Sequence, residues 1–371
     1  MTQPSDIIVV GAGVIGCAIA EELARRGASV EILDERPVGM GATQASAGVL
    51  APYIETREGH PLLDLTVRSL RLYEEFVERV SAESGLAIAY RRSGTLTVAT
   101  DEAEWNTLRV AAEYLTRIGV SAALFEAAAA RAEEPHLGDS TVGGLLIQEH
   151  GFVGATDLTR ALVASARRRG AQFIEQSRVR RICTEGEDLV IETDRGTLTA
   201  DAVVVAAGSW AGDVVVDGVA ARLPVRPVRG QLLYLAWTGT PLRRVTWTHR
   251  CYLVPWDDGT VLLGATMEEA GFDERVTVAG VRDLLESACD LVPHAWSAGF
   301  RGARVGLRPG TPDDLPVIGV SAAMPNVVYA TGHFRNGVLL APLTAQLVAD
   351  VLLERRLDAA LAPFSPARFG L

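Results

Sequence analysis

The chain has 371 residues, 48% of them hydrophobic and 22% charged, a globular composition that excludes a disordered chain or a coiled coil. Its 35 Lys and Arg against 46 Asp and Glu give a net charge of −11, which argues against nucleic acid or an anionic membrane as partner. Four scattered cysteines without a CxxC pair speak against a zinc knot or a disulfide framework, so no metal site is expected. At roughly 150 residues per domain the length suggests two domains, or one large α/β unit with an insertion. The N-terminus shows no basic segment ahead of an apolar stretch, and no run approaches the ~18 apolar residues of a bilayer span, so a soluble cytoplasmic protein is expected.

Residues 7–10 form a short apolar run, the pattern of a strand buried on both faces. The run enters Gly11-Ala12-Gly13-Val14-Ile15-Gly16 and then a helical stretch at 17–26 closed by Gly27. A second strand at 29–33 ends on Asp34-Glu35, about 20 positions beyond the glycines. A GxGxxG between strand and helix with that acidic follow-up predicts an adenine dinucleotide site. Gly11 permits the tight turn, Gly13 admits a pyrophosphate, Gly16 allows close helix–strand packing, and Asp34 receives the ribose hydroxyls. The helix N-terminus adds free N–H groups and partial positive charge. The small-residue loop 41–50 suits an extended FAD better than a nicotinamide cofactor, although the same composition would also serve a surface linker.

Helical spacing follows at 61–81, a strand at 93–99, helices at 101–119 and 126–134, and a strand at 143–147. Residues 157–169 form an amphipathic helix ending in Arg-Arg-Arg-Gly, a solvated terminus rather than a binding patch. Strands recur at 172–175, 178–183, 189–193 and 202–206, the last leading into Ala207-Gly208-Ser209-Trp210, a second close backbone approach. Long strands are predicted at 229–237 and 245–265, the second a hairpin turning at Asp257-Asp258-Gly259. A helix at 276–289, a polar loop at 309–316, a buried strand at 327–330 and an apolar helix at 338–353 complete the chain. The fold class is α/β. A Rossmann-like dinucleotide domain at 1–85, 150–225 and 298–371 carries an antiparallel-sheet substrate domain inserted at 86–149 and 226–297.

In several ordered segments the chain resembles the flavin-dependent amino-acid oxidases of the D-amino-acid oxidase superfamily, and most of all the glycine oxidase family. The specific stretches are Ala45-Ser46-Ala47-Gly48-Val49-Leu50, Cys251-Tyr252-Leu253-Val254-Pro255, Gly264-Ala265-Thr266-Met267, Gly306-Leu307-Arg308-Pro309-Gly310-Thr311 and Gly332-His333-Phe334-Arg335-Asn336-Gly337. The resemblance spans residues 7–353. It implies an FAD domain, a substrate domain over the flavin, and a site between them. Arg308 would grip the substrate carboxylate with help from Tyr252 and Arg335, and Met267 would wall the pocket. FAD would be contacted by Val14, Ile15, Asp34, Glu35, Ala42, Thr43, Ala47, Gly48, Val49, Val179, His333, Phe334, Arg335, Asn336, Gly337, Val338 and Leu339. The helix after Arg335 would point its N-terminus at the flavin.

The residues agree where they speak for themselves. A planar Arg fork suits a carboxylate, and Pro309 and Gly310 would fix the loop that presents it. His249 and His333 are read as bystanders, because oxidation of a neutral amine by flavin needs no strong base. Two positions depart from some glycine oxidases: Arg250 stands for a His and Val49 for a Met. Covalent relatives attach flavin through a Cys ahead of the Pro-Asp loop. Residues 305–314 hold no Cys, so non-covalent FAD is expected. The resemblance further implies oxidation of glycine, sarcosine and small D-amino acids by oxygen, yielding peroxide and glycine imine for thiamin thiazole synthesis. It also implies a homotetramer and a transient hand-off to thiazole synthase. The alternatives are a D-amino-acid or N-methylamino-acid dehydrogenase on the same fold using an electron carrier, and a flavin-binding partner without turnover.

Overall fold

The structure is a computed structural model that describes residues 5–55, 59–186, 188–219 and 221–371. The elements that build the site are, in chain order, β1 (Ser5–Val10), α1 (Val14–Arg25), β2 (Val30–Asp34), α2 (Leu62–Ser84), α3 (Ala155–Arg168), β3 (Gly196–Val205), β4 (Arg226–Ala236), β5 (Tyr252–Pro255), β6 (Thr260–Gly264), β7 (Gly299–Gly310), β8 (Val327–Thr331) and α4 (Gly337–Glu354).

Among the described residues, one sheet has nine strands. In it β1 lies parallel to β2 on one side and to β3 on the other, and β8 runs parallel to the end of β3. The apolar run of β1 has its reason in two packed faces. Ile7 and Val9 join a core made with α1, α2, α3 and α4, whereas Ile8 and Val10 join a second core with Val203, Val205 and the strands at 179–191. A side-chain period of two sends alternate residues of one strand into two separate cores.

A second sheet has eight strands in the order β7-β4-β6-β5, then Val245–Trp247, Thr95–Ala99, Gly143–Ile147 and Ala122–Glu126. Residues 245–265 differ from the predicted hairpin by one reversal. The Thr248 hydroxyl accepts from the amides of Arg250 and Cys251, while the Thr248 amide donates to the Cys251 carbonyl, so the run folds into three strands. The turn at residues 257–259 is where the sequence put it, with Asp258 accepting from the Thr260 amide.

β7 carries no strand signal in sequence, because glycines interrupt it at 302 and 306. It nevertheless pairs with β4 from Arg226↔Gly310 to Ala236↔Gly299. Pro309 and Gly310 therefore end a strand rather than begin a loop. The segment 299–310, placed by sequence in the dinucleotide piece starting at 298, hydrogen-bonds instead within the inserted sheet.

α4 is 18 residues long and apolar enough, by length and composition, to pass for a membrane span, which the sequence reading did not allow for. Its apolarity is explained by burial against α1 and α2. Pro342 lies inside this helix and cannot donate to the Val338 carbonyl. The Tyr73 hydroxyl of α2 takes that carbonyl, and Ser69 Oγ donates to Leu339 O at 2.7 Å. Two side chains of α2 thus satisfy the first turns of the helix that faces the site.

Candidate functional site

A cavity of ≈ 440 Å³ runs between the two sheets, and the first turns of both α1 and α4 open onto it. At the α1 end, Gly11 has φ +106, and a Cβ there would lie 2.5 Å from the Ala206 carbonyl oxygen. Only glycine fits both constraints. Gly13 lines the cavity with room for a Cβ, the nearest atom being Thr43 Oγ1 at 3.5 Å. Gly13 cannot cap α1 with a side chain, so Thr43 accepts from the Val14 amide at 3.0 Å from a loop 29 residues away.

Asp34 closes the same turn. Its two carboxylate oxygens accept from the amides of Ala12 (2.6 Å) and Arg36 (2.7 Å). Burial pushes its carboxyl above the ordinary range, against the pull of those amides. Beside it, Arg36 makes a double ion pair with Glu274 and lies 4.1 Å over the Trp210 ring.

On the inserted sheet Arg308, half-buried on β7, donates to the Thr266 carbonyl at 3.0 Å. Tyr252 begins β5; its ring stacks on Trp247 at 4.6 Å and lies flat over Gly264, where a Cβ would come within 2.5 Å of the hydroxyl. Met267 lies three residues past β6 rather than on the strand, and is 63% exposed at the rim. Arg335 is exposed, 5.9 Å from the centre of the Phe334 ring.

Of the residues singled out by sequence, Arg308, Tyr252, Arg335, Met267, Gly11, Gly13, Val14, Ile15, Asp34 and Glu35 all line this one cavity. So do Ala42, Thr43, Ala47, Gly48, Val49, Val179, His333, Phe334, Asn336, Gly337, Val338 and Leu339. Gly16 does not reach it. A Cβ at Gly16 would sit 1.8 Å from the Gly11 carbonyl, so this glycine serves the packing of α1 against the turn. The departing positions Arg250 and Val49 both line the cavity, with Arg250 paired to Asp290 at 2.9 Å. Sequence reading missed Arg36, Ser177, Arg178 and Thr266 as liners; Arg36, Arg178 and Thr266 sit beside flagged residues, and Thr266 lies within the quoted stretch 264–267, but Ser177 carries no local signal.

The histidines divide. His249 pairs with Glu104 at the cavity edge. The His333 ring is buried against Thr344 Oγ1 at 3.1 Å, and burial lowers its pKa to about 3. His150, buried against Thr95 and outside the cavity lining, is likewise held down to about 3. Both rings are neutral in the folded protein and titrate near 6.5 when unfolded. Their stabilising contribution is therefore complete above pH 6.5 and is lost as pH falls from there towards 3. At pH 5 the loss is about 2 kcal/mol per histidine. Denaturant unfolding at pH 7 and pH 5 should show it, and His150→Gln should shrink the difference between the two pH values; an unchanged difference would refute this assignment.

The arrangement fits an extended dinucleotide flavin. Two helix N-termini converge on one cavity, which a glycine turn, a carboxylate and a guanidinium also line. The chain matches the family of FAD dependent oxidoreductases (DAO) over residues 6–351. It is 35% identical to the glycine oxidase of Geobacillus kaustophilus over 99% of this chain and 98% of that one. The crystal structure of a glycine oxidase from that organism superposes with a TM-score of 0.94 at 36% identity, covering 98% of each chain. The bifunctional protein ThiO/ThiG of Synechocystis is 34% identical over the whole of this chain, which spans 55% of that protein's length. The chain accordingly belongs to the DAO family of FAD-dependent oxidoreductases and, within it, to the glycine oxidase group.

Proposed function

We propose that this protein oxidises glycine, together with sarcosine and small D-amino acids, converting glycine, oxygen and water to glyoxylate, ammonia and hydrogen peroxide. The observation that carries the reading is Arg308, a guanidinium turned into the cavity onto which both helix N-termini open. Bound FAD supplies the two-electron oxidation of the amine and the reduction of oxygen. The chain supplies binding and orientation. Gly11, Gly13, Val14 and Asp34 hold the dinucleotide, and the first turn of α4 adds positive potential to the same cavity. Arg308 binds the carboxylate as a fork, Tyr252 and Arg335 assist, and Val49 and Met267 wall the amine side. His333 is neutral and buried, so it takes no proton, and the amine must arrive deprotonated.

The protein halves joined in ThiO/ThiG relatives support a further part of the reading: the imine released here passes to a thiazole-forming partner in thiamin synthesis. The test is a panel of glycine, sarcosine and D-alanine, scored by flavin bleaching under nitrogen and by peroxide in air. Glycine should bleach the flavin and yield one peroxide per glyoxylate. Bleaching without peroxide would make the enzyme a carrier-linked dehydrogenase, and absent bleaching would remove the catalytic reading altogether. Acid precipitation should release all flavin into the supernatant, as expected of a loop without Cys at 305–314.

A further inference from the structure

We infer that Gly230 and Glu268 are positioning residues for the Arg308 guanidinium, and through it for the substrate carboxylate. The inference rests on the assignment of Arg308 as carboxylate anchor made above.

A long Arg side chain reaching into a cavity has many rotamers, and a carboxylate fork needs one of them. Two features select it. The first is a floor. On β4, Gly230 lies beneath the guanidinium so closely that a Cβ would come within 2.3 Å of Nη1 and 2.4 Å of Cζ and Nη2. The guanidinium can lie flat on the sheet only because residue 230 has no side chain.

The second is a fixed acceptor. Arg308 Nη1 donates to the Thr266 carbonyl at 3.0 Å. Thr266 follows β6 in a loop, and a free loop would not hold an acceptor still. Glu268 ties it down. Its Oε1 accepts from Thr266 Oγ1 at 2.6 Å and Gln231 Nε2 at 2.7 Å, and its Oε2 from Arg229 Nη2 at 2.6 Å. The Thr266 hydroxyl also accepts from the Gln231 amide at 2.9 Å. Main-chain bonds between Arg229 and Glu268 run in both directions, at 2.9 and 3.0 Å. Burial pushes the Glu268 carboxyl up, but the bonds from Arg229, Thr266 and Gln231 outweigh it and keep it charged. Arg229 itself is 6% exposed, whereas the Glu268 side chain is partly open to solvent at 28%.

Glu268→Gln preserves shape but turns one carboxylate oxygen into a donor facing other donors, so the Thr266 loop loses its tie. Gly230→Ala lifts the guanidinium off the sheet. Neither residue lines the cavity, so neither touches a ligand there, and removing the Glu268 charge would by itself favour an anion, opposite in sign to the loss expected from misplacing Arg308. The probe is acetate, titrated into the FAD-loaded enzyme and followed by the flavin absorbance. Each variant should weaken acetate about 10- to 100-fold, since a displacement near 1 Å at an anchor has effects of that size. The KM for glycine should rise in parallel, while kcat at saturation stays within about threefold. In an Arg308→Ala background, Glu268→Gln should have no further effect on acetate, which a merely structural role would not predict. Wild-type acetate affinity in Glu268→Gln, with Arg308→Ala impaired, would overturn the positioning role even if Gly230→Ala fails to fold. Wild-type affinity in Arg308→Ala itself would instead overturn the anchor assignment.

Discussion

Arg308→Ala is expected to lower kcat/KM for glycine by about 10²–10⁴-fold, mainly through KM. Glycine has no side chain, so its carboxylate is the handle by which the reacting carbon can be oriented. The fork is half-buried on β7, with its Nη1 donor already directed at the Thr266 carbonyl. Truncating one partner of a desolvated charge pair leaves the other unpaired, at a cost of about 3–5 kcal/mol. Arg308→Lys should recover only part, because an ammonium cannot make two parallel bonds. Both variants must stay yellow, since Arg308 is not among the residues assigned to FAD. If Arg308→Ala keeps glycine turnover within a few-fold of wild type, the anchor is elsewhere, and Arg335 at the same cavity is the next residue to change.

The second large effect concerns Gly13. Gly13→Val should yield a folded protein that does not retain FAD, with Kd raised at least about 100-fold; a few kcal/mol of lost phosphate contacts amount to that. The structure makes this a clean experiment. A Cβ at Gly13 meets nothing nearer than Thr43 Oγ1 at 3.5 Å, so the backbone there admits a Cβ, while the branched side chain would extend into the cavity at the helix N-terminus. Gly11→Ala is the contrasting case. There the Cβ strikes the Ala206 carbonyl at 2.5 Å with φ at +106, so the damage is to folding. Far-UV circular dichroism and the visible flavin spectrum together separate the two. A Gly13→Val protein as yellow as wild type would show that the cofactor does not pass over this turn.

What the sequence determined by itself is local and one-dimensional. The β1–α1–β2 unit was legible because its glycines stand at fixed spacing between a strand and a helix, and because two covered faces force an unbroken apolar run, although the backbone that presses on Gly11 is that of Ala206. The helix at 337–354 was legible from its apolar length, and the residues lining the cavity from short stretches of family resemblance. The tertiary structure decided what depends on residues far apart in the chain. It made β7 a strand, because pairing with β4 overrides the strand-weakening glycines at 302 and 306. It made Thr43 the cap of α1 and gave Tyr73 the carbonyl that Pro342 leaves open. It also gave Gly230 its purpose. Nothing around residue 230 announces that a guanidinium 78 positions later will lie on it. Such a contact is set by strand register, which arises only when two distant segments hydrogen-bond side by side.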